Sequence, residues 1–273
     1  VFALEQGGRT TEALEGYRAL CEREPPSARA CYDRSRLLFE SGAVEAGRTA
    51  SAAFLRRFPG SALAQPAVKR LARSWADAGD EAGGIAALGI LAAELAASGA
   101  GDSIDRELAR LHGRAGDVAG ERAALERIAA RGRWGSQLWD DAVWRLCVLA
   151  REQGDASGEE RQLRRLVDSF EPSRLIGTST SPYHGRALLR LGVLRAERGF
   201  PDDALALLLQ LGELETSRQR DDALFEAARI RLARSDLPGA CALLARVVAI
   251  EDASAARRAR SLHSEAGCGG TGD

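Results

Sequence analysis

An all-α fold, a right-handed superhelical solenoid of about seven helix pairs, is what the 273 residues predict. Three observations lead there. A turn signal recurs at Gly8-Arg9, Gly42-Ala43, Gly79-Asp80, Gly116-Asp117, Gly154-Asp155 and Gly199-Phe200, with Ser235-Asp236 as a degenerate copy, at separations of 34, 37, 37, 38, 45 and 36 residues. Self-similarity at such a period marks stacked two-helix units. Small and bulky apolar residues stand in register about each turn at i, i+3, i+4 spacing, one apolar stripe per helix. Ala, Leu and Arg dominate a chain that is 45% hydrophobic and 28% charged, which gives strands little support.

Taken in order, the first pair turns at Gly8-Arg9, and its second helix carries Ala13, Tyr17 and Leu20 before Pro25 stops it. The second opens at Ala30-Cys31, turns at Gly42, and runs through Gly47 and Phe54 to the stop at Pro59. The third opens at Ala67-Val68, continues through Leu71-Ala72, turns at Gly79, and carries Gly84, Leu88 and Leu91. In the fourth, Ile104 takes the place of the opening alanine, the turn is Gly116-Asp117, and Leu125 and Ile128 form the stripe. The fifth opens at Ala142-Val143, passes Leu146-Cys147, turns at Gly154 and carries Leu163 and Leu166. The fourth and fifth have glutamate, Glu121 and Glu159, where a small residue is expected. The sixth runs from Ala187-Leu188 through Leu191-Gly192 and the turn at Gly199 to Ala204, Leu208 and Leu211. The seventh runs from Ala223-Leu224 and Ala228 through Ser235-Asp236 to Ala240, Leu244 and Val247. The small residues let a neighbouring helix approach closely.

Ahead of the pairs stand Ser61, Ser98, Ser136, Ser181 and Ser217, with Asp102, Asp140 and Asp221 at one shared position. Asp just before an apolar helical run caps the helix and complements its dipole. Capping is therefore preferred over a metal site for Asp140-Asp141 and Asp221-Asp222, although adjacent carboxylates also suit a hard cation. The period fails once, where residues 171–183 add a loop of polar residues with a glycine and two prolines. An insertion in a regular array is a favoured contact surface, and also a tolerated one with no role. One domain is expected over 1–250, followed by a capping helix over 251–266 begun by Asp252 and a disordered tail over 267–273.

These columns resemble the tetratricopeptide repeat, including its Ala-x3-Tyr/Phe and terminal Pro positions, over roughly residues 1 to 250. The aromatic residue that the repeat places four positions before the turn is present only as Trp75. The joint running from Phe54 through Phe58-Pro59 and Ser61 to Ala64 is similar to the FPxSxxA joints of envelope-associated tetratricopeptide proteins of Gram-negative bacteria, such as outer-membrane assembly lipoproteins and periplasmic cell-division coordinators. Ser217 with Asp221-Asp222-Ala223-Leu224 is similar to such a joint. The resemblance implies a protein or peptide partner in a concave groove lined by the first helix of each pair. Some members clamp a C-terminal carboxylate with lysine and asparagine. This chain has Lys69 as its only lysine and no asparagine, so that clamp is not supported, and arginines remain to serve a different acidic ligand.

The formal charge is −1, with a pI near 6.4. No global field favours nucleic acid or an anionic membrane. The apolar run from Ile85 to Ala97 is broken by Glu94 and falls short of the ~20 residues a spanning helix needs. The chain has no methionine and starts at Val1 inside a helical pattern. It reads as a processed or truncated product, so the absence of a targeting segment says nothing about compartment.

Among five cysteines no pair has zinc spacing. Cys147 and Cys241 sit where small apolar residues belong and read as packing. Cys21 and Cys31 face each other across the first joint and form a disulfide if the compartment is oxidising. The tail matches GxGxxG from Gly267 to Gly272 but lacks the strand and helix that a phosphate site needs. His112, His184 and His263 fall in separate units with no ligand spacing. Ser181, His184 and Asp202 form a trio of a kind that chance supplies, and a hydrolase using Ser181 and His184 would lose turnover in His184→Ala.

No enzyme, cofactor or metal is expected. Partner contacts are assigned to Arg70, Arg145, Arg190 and Arg229 on first helices, to Trp134 and Trp139 beside a joint as exposed anchors or as packing, and to Tyr183 in the insertion. Trp144 reads as core. The function expected is a protein-binding scaffold or adaptor in a bacterial cell envelope, periplasmic or anchored to the outer membrane. The alternative is an interaction or sensor module of a larger cytoplasmic regulator.

Overall fold

A computed structural model describes residues 1–169, 181–250 and 254–268. These hold fifteen helices and no strand: α1 (Phe2–Gln6), α2 (Thr10–Glu22), α3 (Ala28–Glu40), α4 (Val44–Arg57), α5 (Ala64–Ala76), α6 (Glu81–Leu95), α7 (Gly101–Arg114), α8 (Val118–Ala130), α9 (Trp139–Glu152), α10 (Ala156–Asp168), α11 (His184–Glu197), α12 (Pro201–Gly212), α13 (Arg220–Ala233), α14 (Leu237–Ala249) and α15 (Ala256–Glu265). The first fourteen follow one another as seven pairs, each joined at one of the recurring turns, and α15 packs against α14. The odd-numbered, first helix of each pair is called the A helix and the second the B helix.

One backbone device builds every turn. The turn residue has positive φ, between 68° and 81° at the six glycines and 61° at Ser235. The residue after it donates its N–H to the carbonyl five positions back, as in Asp80 to Trp75 (3.1 Å), Asp155 to Ala150 (2.8 Å) and Asp236 to Arg231 (2.9 Å). This closes the A helix with a Schellman motif. Where that next residue is aspartate it also starts the B helix: Asp80, Asp117, Asp155 and Asp236 accept the N–H of Gly83, Gly120, Gly158 and Gly239 at 2.8–2.9 Å. Ser235 supplies the same left-handed turn as its glycine counterparts, so the degenerate copy is structurally equivalent.

The serine column builds turns and not helix caps. The hydroxyls of Ser61, Ser98, Ser136, Ser181 and Ser217 accept the N–H two residues on, at 3.1–3.3 Å. Their carbonyls accept the N–H three residues on. Each therefore builds the turn between pairs, one step ahead of the A helix, because a Ser hydroxyl reaches its own i+2 amide more readily than a distant helix end. The expected shared aspartates lie inside the first A turn. Asp102 pairs with Arg131 at 2.7 Å. Asp221 accepts from the Ser254 hydroxyl (2.9 Å) and the Ala255 N–H (2.8 Å), the residue at the N-terminus of α15. It thereby caps α15. Asp252, expected in that role, lies outside the described residues.

The chain divides into two compact units, Val1–Ala142 and Val143–Asp273, with the division inside α9. One body was the expectation from sequence. Helices in a repeat array touch mainly their chain neighbours, so no central core opposes such a division. The first unit buries Leu55, Val68, Leu71, Leu88, Leu91 and Ile104; the second buries Leu188, Leu208, Leu211, Leu224, Leu244 and Val247. Small residues mark close A-to-B approach: a Cβ on Gly192 would lie 2.7 Å from Leu208 Cγ, and one on Gly84 2.8 Å from Trp75 Cβ.

Most of the expected insertion over 171–183 lies outside the described residues, as do 269–273. Gly267 and Cys268, read from sequence as disordered tail, are described. Cys268 is disulfide-bonded to Cys241, with Cα atoms 5.4 Å apart. Cys241 therefore does more than pack. No described helix is long and apolar enough to cross a membrane.

Candidate functional site

In the first unit the exposed side of the A helices carries two adjoining clefts. The larger, about 670 Å³, lies between the end of α3, the start of α4 and α5. Phe39, Val44 and Pro66 give it apolar walls, and Lys69, Arg70 and Arg73 give it a cationic side. The smaller, about 210 Å³, lies between α5 and α7 and is lined by Lys69 and Arg73 again, with Glu107, Arg110 and Arg114. Lys69 and Arg73 are one helical turn apart on α5, so they point the same way and border both clefts.

Arginine elsewhere is mostly committed to carboxylates within the fold. Arg36 bonds Glu5 (2.6 Å), Glu40 (2.6 Å) and Asp33 (3.4 Å). Glu160 receives Arg164 at 3.1 Å together with Arg195 and Arg198. Burial pushes the Glu160 carboxyl up, but the three guanidinium groups outweigh it and hold the group below the usual carboxylate range. Among the described residues Lys69 and Arg73, both exposed, have no carboxylate within 4.0 Å.

The residues assigned to partner contact separate into several groups. Arg70 lines the larger cleft and reaches Glu40 at 3.3 Å. Arg145 is part-exposed and 3.4 Å from Glu152. Arg229 is exposed and bonded to Glu226 at 2.8 Å. Arg190 is spent on structure. Its guanidinium grips Glu159 at 2.7 and 3.0 Å and Glu197 at 3.1 Å. Glu159 is 2% exposed and stands where a small residue was expected, so a cation from the next A helix is needed to neutralise it.

Trp134 is 74% exposed, as an anchor would be, whereas Trp139 is 6% exposed and belongs to the core. An aromatic side chain at the first position of α9 is carried inward by the helix, which selects packing over the exposed anchor for Trp139. Trp144 is half-buried rather than core: Tyr183 stacks on it with centroids 5.1 Å apart and planes at 7°, and Arg186 lies 4.4 Å above the ring. Tyr183 thus packs on the second unit's own surface. Trp75, the surviving repeat aromatic, holds Arg48 at 3.5 Å over its ring.

The trio Ser181, His184 and Asp202 is not assembled. The Ser181 hydroxyl is engaged with the Tyr183 amide at 3.1 Å. Asp202 is exposed and paired with Arg234. His184 is buried, and burial holds it below the usual histidine range against an opposing hydrogen bond to the Leu166 backbone. Cys21 and Cys31 are disulfide-bonded, with Cα atoms 4.9 Å apart. Cys147 is a buried thiol, raised to about 12 by burial and then by Glu159. Among the described residues no group of three or more His, Cys, Asp or Glu is placed to hold a metal.

Sequence reasoning missed Lys69 and Arg73 as a site. A local signal existed: Gln65, Pro66, Ala72 and Arg73, the helical neighbours of Lys69, include no acid. Arg73 has Asp77 four residues on, at the helical C-cap position of α5 and on the border of the same clefts, but the two side chains form no ion pair.

No family model matches the chain, and no curated protein matches it. Solved structures do. The C-terminal part of a TPR repeat-containing protein from Cytophaga hutchinsonii is 11% identical, with 94% of this chain and 96% of that chain covered and a TM-score of 0.53. A tetratricopeptide repeat protein from Parabacteroides merdae is 12% identical, with 97% and 95% covered and a TM-score of 0.38. The MamA protein is 15% identical, with 68% and 90% covered and a TM-score of 0.43. The all-helical array of helix pairs has the fold of the tetratricopeptide-repeat solenoids.

Proposed function

We propose that the protein is a non-enzymatic protein-binding scaffold or adaptor of a bacterial cell envelope, periplasmic or anchored to the outer membrane. The observation that carries the binding role is the pair of adjoining clefts on the A helices of the first unit, whose bordering Lys69 and Arg73 are not used by the fold. Unspent charge beside apolar walls is the ordinary composition of a polypeptide recognition surface. Two further features support the envelope setting. Cys21–Cys31 and Cys241–Cys268 are paired, and structural disulfides persist in oxidising compartments. The joint from Phe54 to Ala64 is similar to those of envelope-associated repeat proteins.

The test is cross-linking and affinity capture of the native protein in its host, with identification of what is bound and of the fraction that holds it. The reading expects a stoichiometric protein partner and recovery from the periplasmic or outer-membrane fraction. A protein recovered from the cytoplasm as part of a longer regulatory chain overturns the envelope setting. Absence of any stoichiometric partner overturns the scaffold.

A further inference from the structure

A third cleft of the first unit, about 700 Å³, lies where residues of the joints ahead of α5, α7 and α9 come together, and it shares no lining residue with the two clefts described above. We propose that this cleft binds a neutral oligosaccharide, with Ser103, Gln65 and Gln137 bonding its hydroxyls and Trp134 taking the C–H face of a sugar ring.

The observation that carries this is Ser103. It lines the cleft and is 8% exposed, yet among the described residues its hydroxyl has no hydrogen-bond partner. A buried hydroxyl without a partner is costly to a fold, and one on the wall of an open cleft is available to a ligand. Ser61 and Ser98 on the same lining are already used by their turns. The side-chain amides of Gln65 and Gln137, both exposed on the lining, are as free as Ser103 among the described residues. The backbone adds donors. Neither α5 nor α7 starts with a side-chain cap, and the N–H groups of Gln65, Asp102 and Ser103 find no acceptor among the described residues.

Charge narrows the ligand class. Asp102 and Arg131 are the only charged residues on the lining, and they pair at 2.7 Å. Arg131 is further committed to Asp105 at 2.8 Å. A charged ligand therefore finds no free counter-charge, and an anion drawn to the helix N-termini meets the Asp102 carboxylate in the first turn of α7. Amide and hydroxyl side chains that both donate and accept remain, beside peptide N–H donors. Sugar hydroxyls, which also donate and accept, match that set. Size agrees, since a site of about 300–1,000 Å³ encloses a ligand of about two or three sugar rings.

A pyranose ring also presents C–H groups on its face, and Trp134 meets that requirement. The indole is 74% exposed, and its Cα is one peptide, about 3.8 Å, from that of Gly135 on the lining. An exposed side chain changes rotamer in ps–ns, which brings the ring within reach of the mouth of the cleft. Arg133 lies 5.3 Å from the ring centroid, and the rest of the ring, left in water by the fold, gains by stacking on a sugar.

The experiment is saturation-transfer NMR on the purified chain with its disulfides intact. Maltotriose, cellotriose and triacetylchitotriose are the neutral probes and trigalacturonate the charged one, and the affinity of each binder is taken from calorimetric titration. At least one neutral trisaccharide is expected to bind. Trp134→Ala weakens it about tenfold, and Ser103→Ala about threefold to tenfold. Phe200→Ala, which removes an exposed aromatic of the second unit, leaves it within about twofold. Ser103→Ala keeps or raises the urea midpoint, because its hydroxyl has no partner to lose, and unchanged circular dichroism certifies the fold of the Trp134 variant. Four results overturn the assignment: no neutral trisaccharide binds, trigalacturonate alone binds, Ser103→Ala or Trp134→Ala binds as well as the parent, or Phe200→Ala weakens binding as much as Trp134→Ala.

Discussion

At Ser235 a residue with a side chain holds a conformation that six glycines hold elsewhere. Its φ of 61° costs an L-residue roughly 1–2 kcal/mol, while glycine adds about 0.5–1 kcal/mol of unfolded-chain entropy. The strain is the larger, so Ser235→Gly is expected to stabilise the protein by about 0.5–1 kcal/mol, read as a higher urea midpoint. A lower midpoint would mean that the Ser235 hydroxyl contributes more than its backbone costs. Arg190 poses the opposite case. With Glu159 at 2% exposure, Arg190→Leu leaves a buried carboxylate without its main counter-charge, for an expected loss of about 2–4 kcal/mol. The double change Arg190→Leu/Glu159→Ala should recover most of that loss in the same urea measurement. If the single and double variants melt alike, the pair is not coupled.

Among elements, α15 has a specific tether. Only Ala255 and Ala259 of that segment are fully buried, so apolar contact alone gives it a modest hold. Asp221 supplies more by accepting from Ser254 and from the α15 N-terminal amide. Burial pushes the Asp221 carboxyl up, yet the Ala255 amide, the Ser254 hydroxyl and its own helix amides outweigh burial and hold it below the usual carboxylate range. A carboxylate depressed in the folded state stabilises above its unfolded value, and the contribution fades as pH falls through the lower folded value. Asp221→Ala is expected to speed amide exchange across α15 at neutral pH without changing α11 or α12, followed by hydrogen exchange and mass spectrometry. The difference between variant and parent should shrink as the pH is lowered and Asp221 becomes protonated in the parent. Equal exchange at neutral pH would assign the tether to the Cys241–Cys268 bond instead.

For the whole molecule the thiols supply the sharpest test. The structure pairs four of the five cysteines and buries Cys147. An alkylating reagent is therefore expected to label none in the native protein, one in denaturant, and five in denaturant after reduction, counted by intact mass. Labelling of Cys21 or Cys31 without reductant removes the chemical support for an oxidising compartment. The division into two compact units belongs to this scale too. Repeats bury apolar surface against their neighbours only, so long arrays resolve into units that a single-core protein does not have.

The helix pairs, their turns and their order were legible in the chain because they are local. A left-handed turn needs glycine or a tolerant substitute, an aspartate beside it starts the next helix, and apolar residues at i, i+3 and i+4 face one way whatever the surroundings. Side-chain partners were not legible, because a partner 30 residues away leaves no mark at its own position. Thus Arg190 read as a contact residue and proved bound to Glu159, Trp139 read as either an anchor or packing and proved packed, and Cys241 read as packing and proved paired. Lys69 and Arg73 show the same limit from the other side. Periodicity placed both on the outer side of an A helix, but only the packing of α3, α5 and α7 decided that they border two clefts and that neither forms an ion pair. Local backbone chemistry wrote the array of helix pairs into the sequence; which charges the array spends on itself, and which it leaves for a partner, depends on distances that exist only once the helices are stacked.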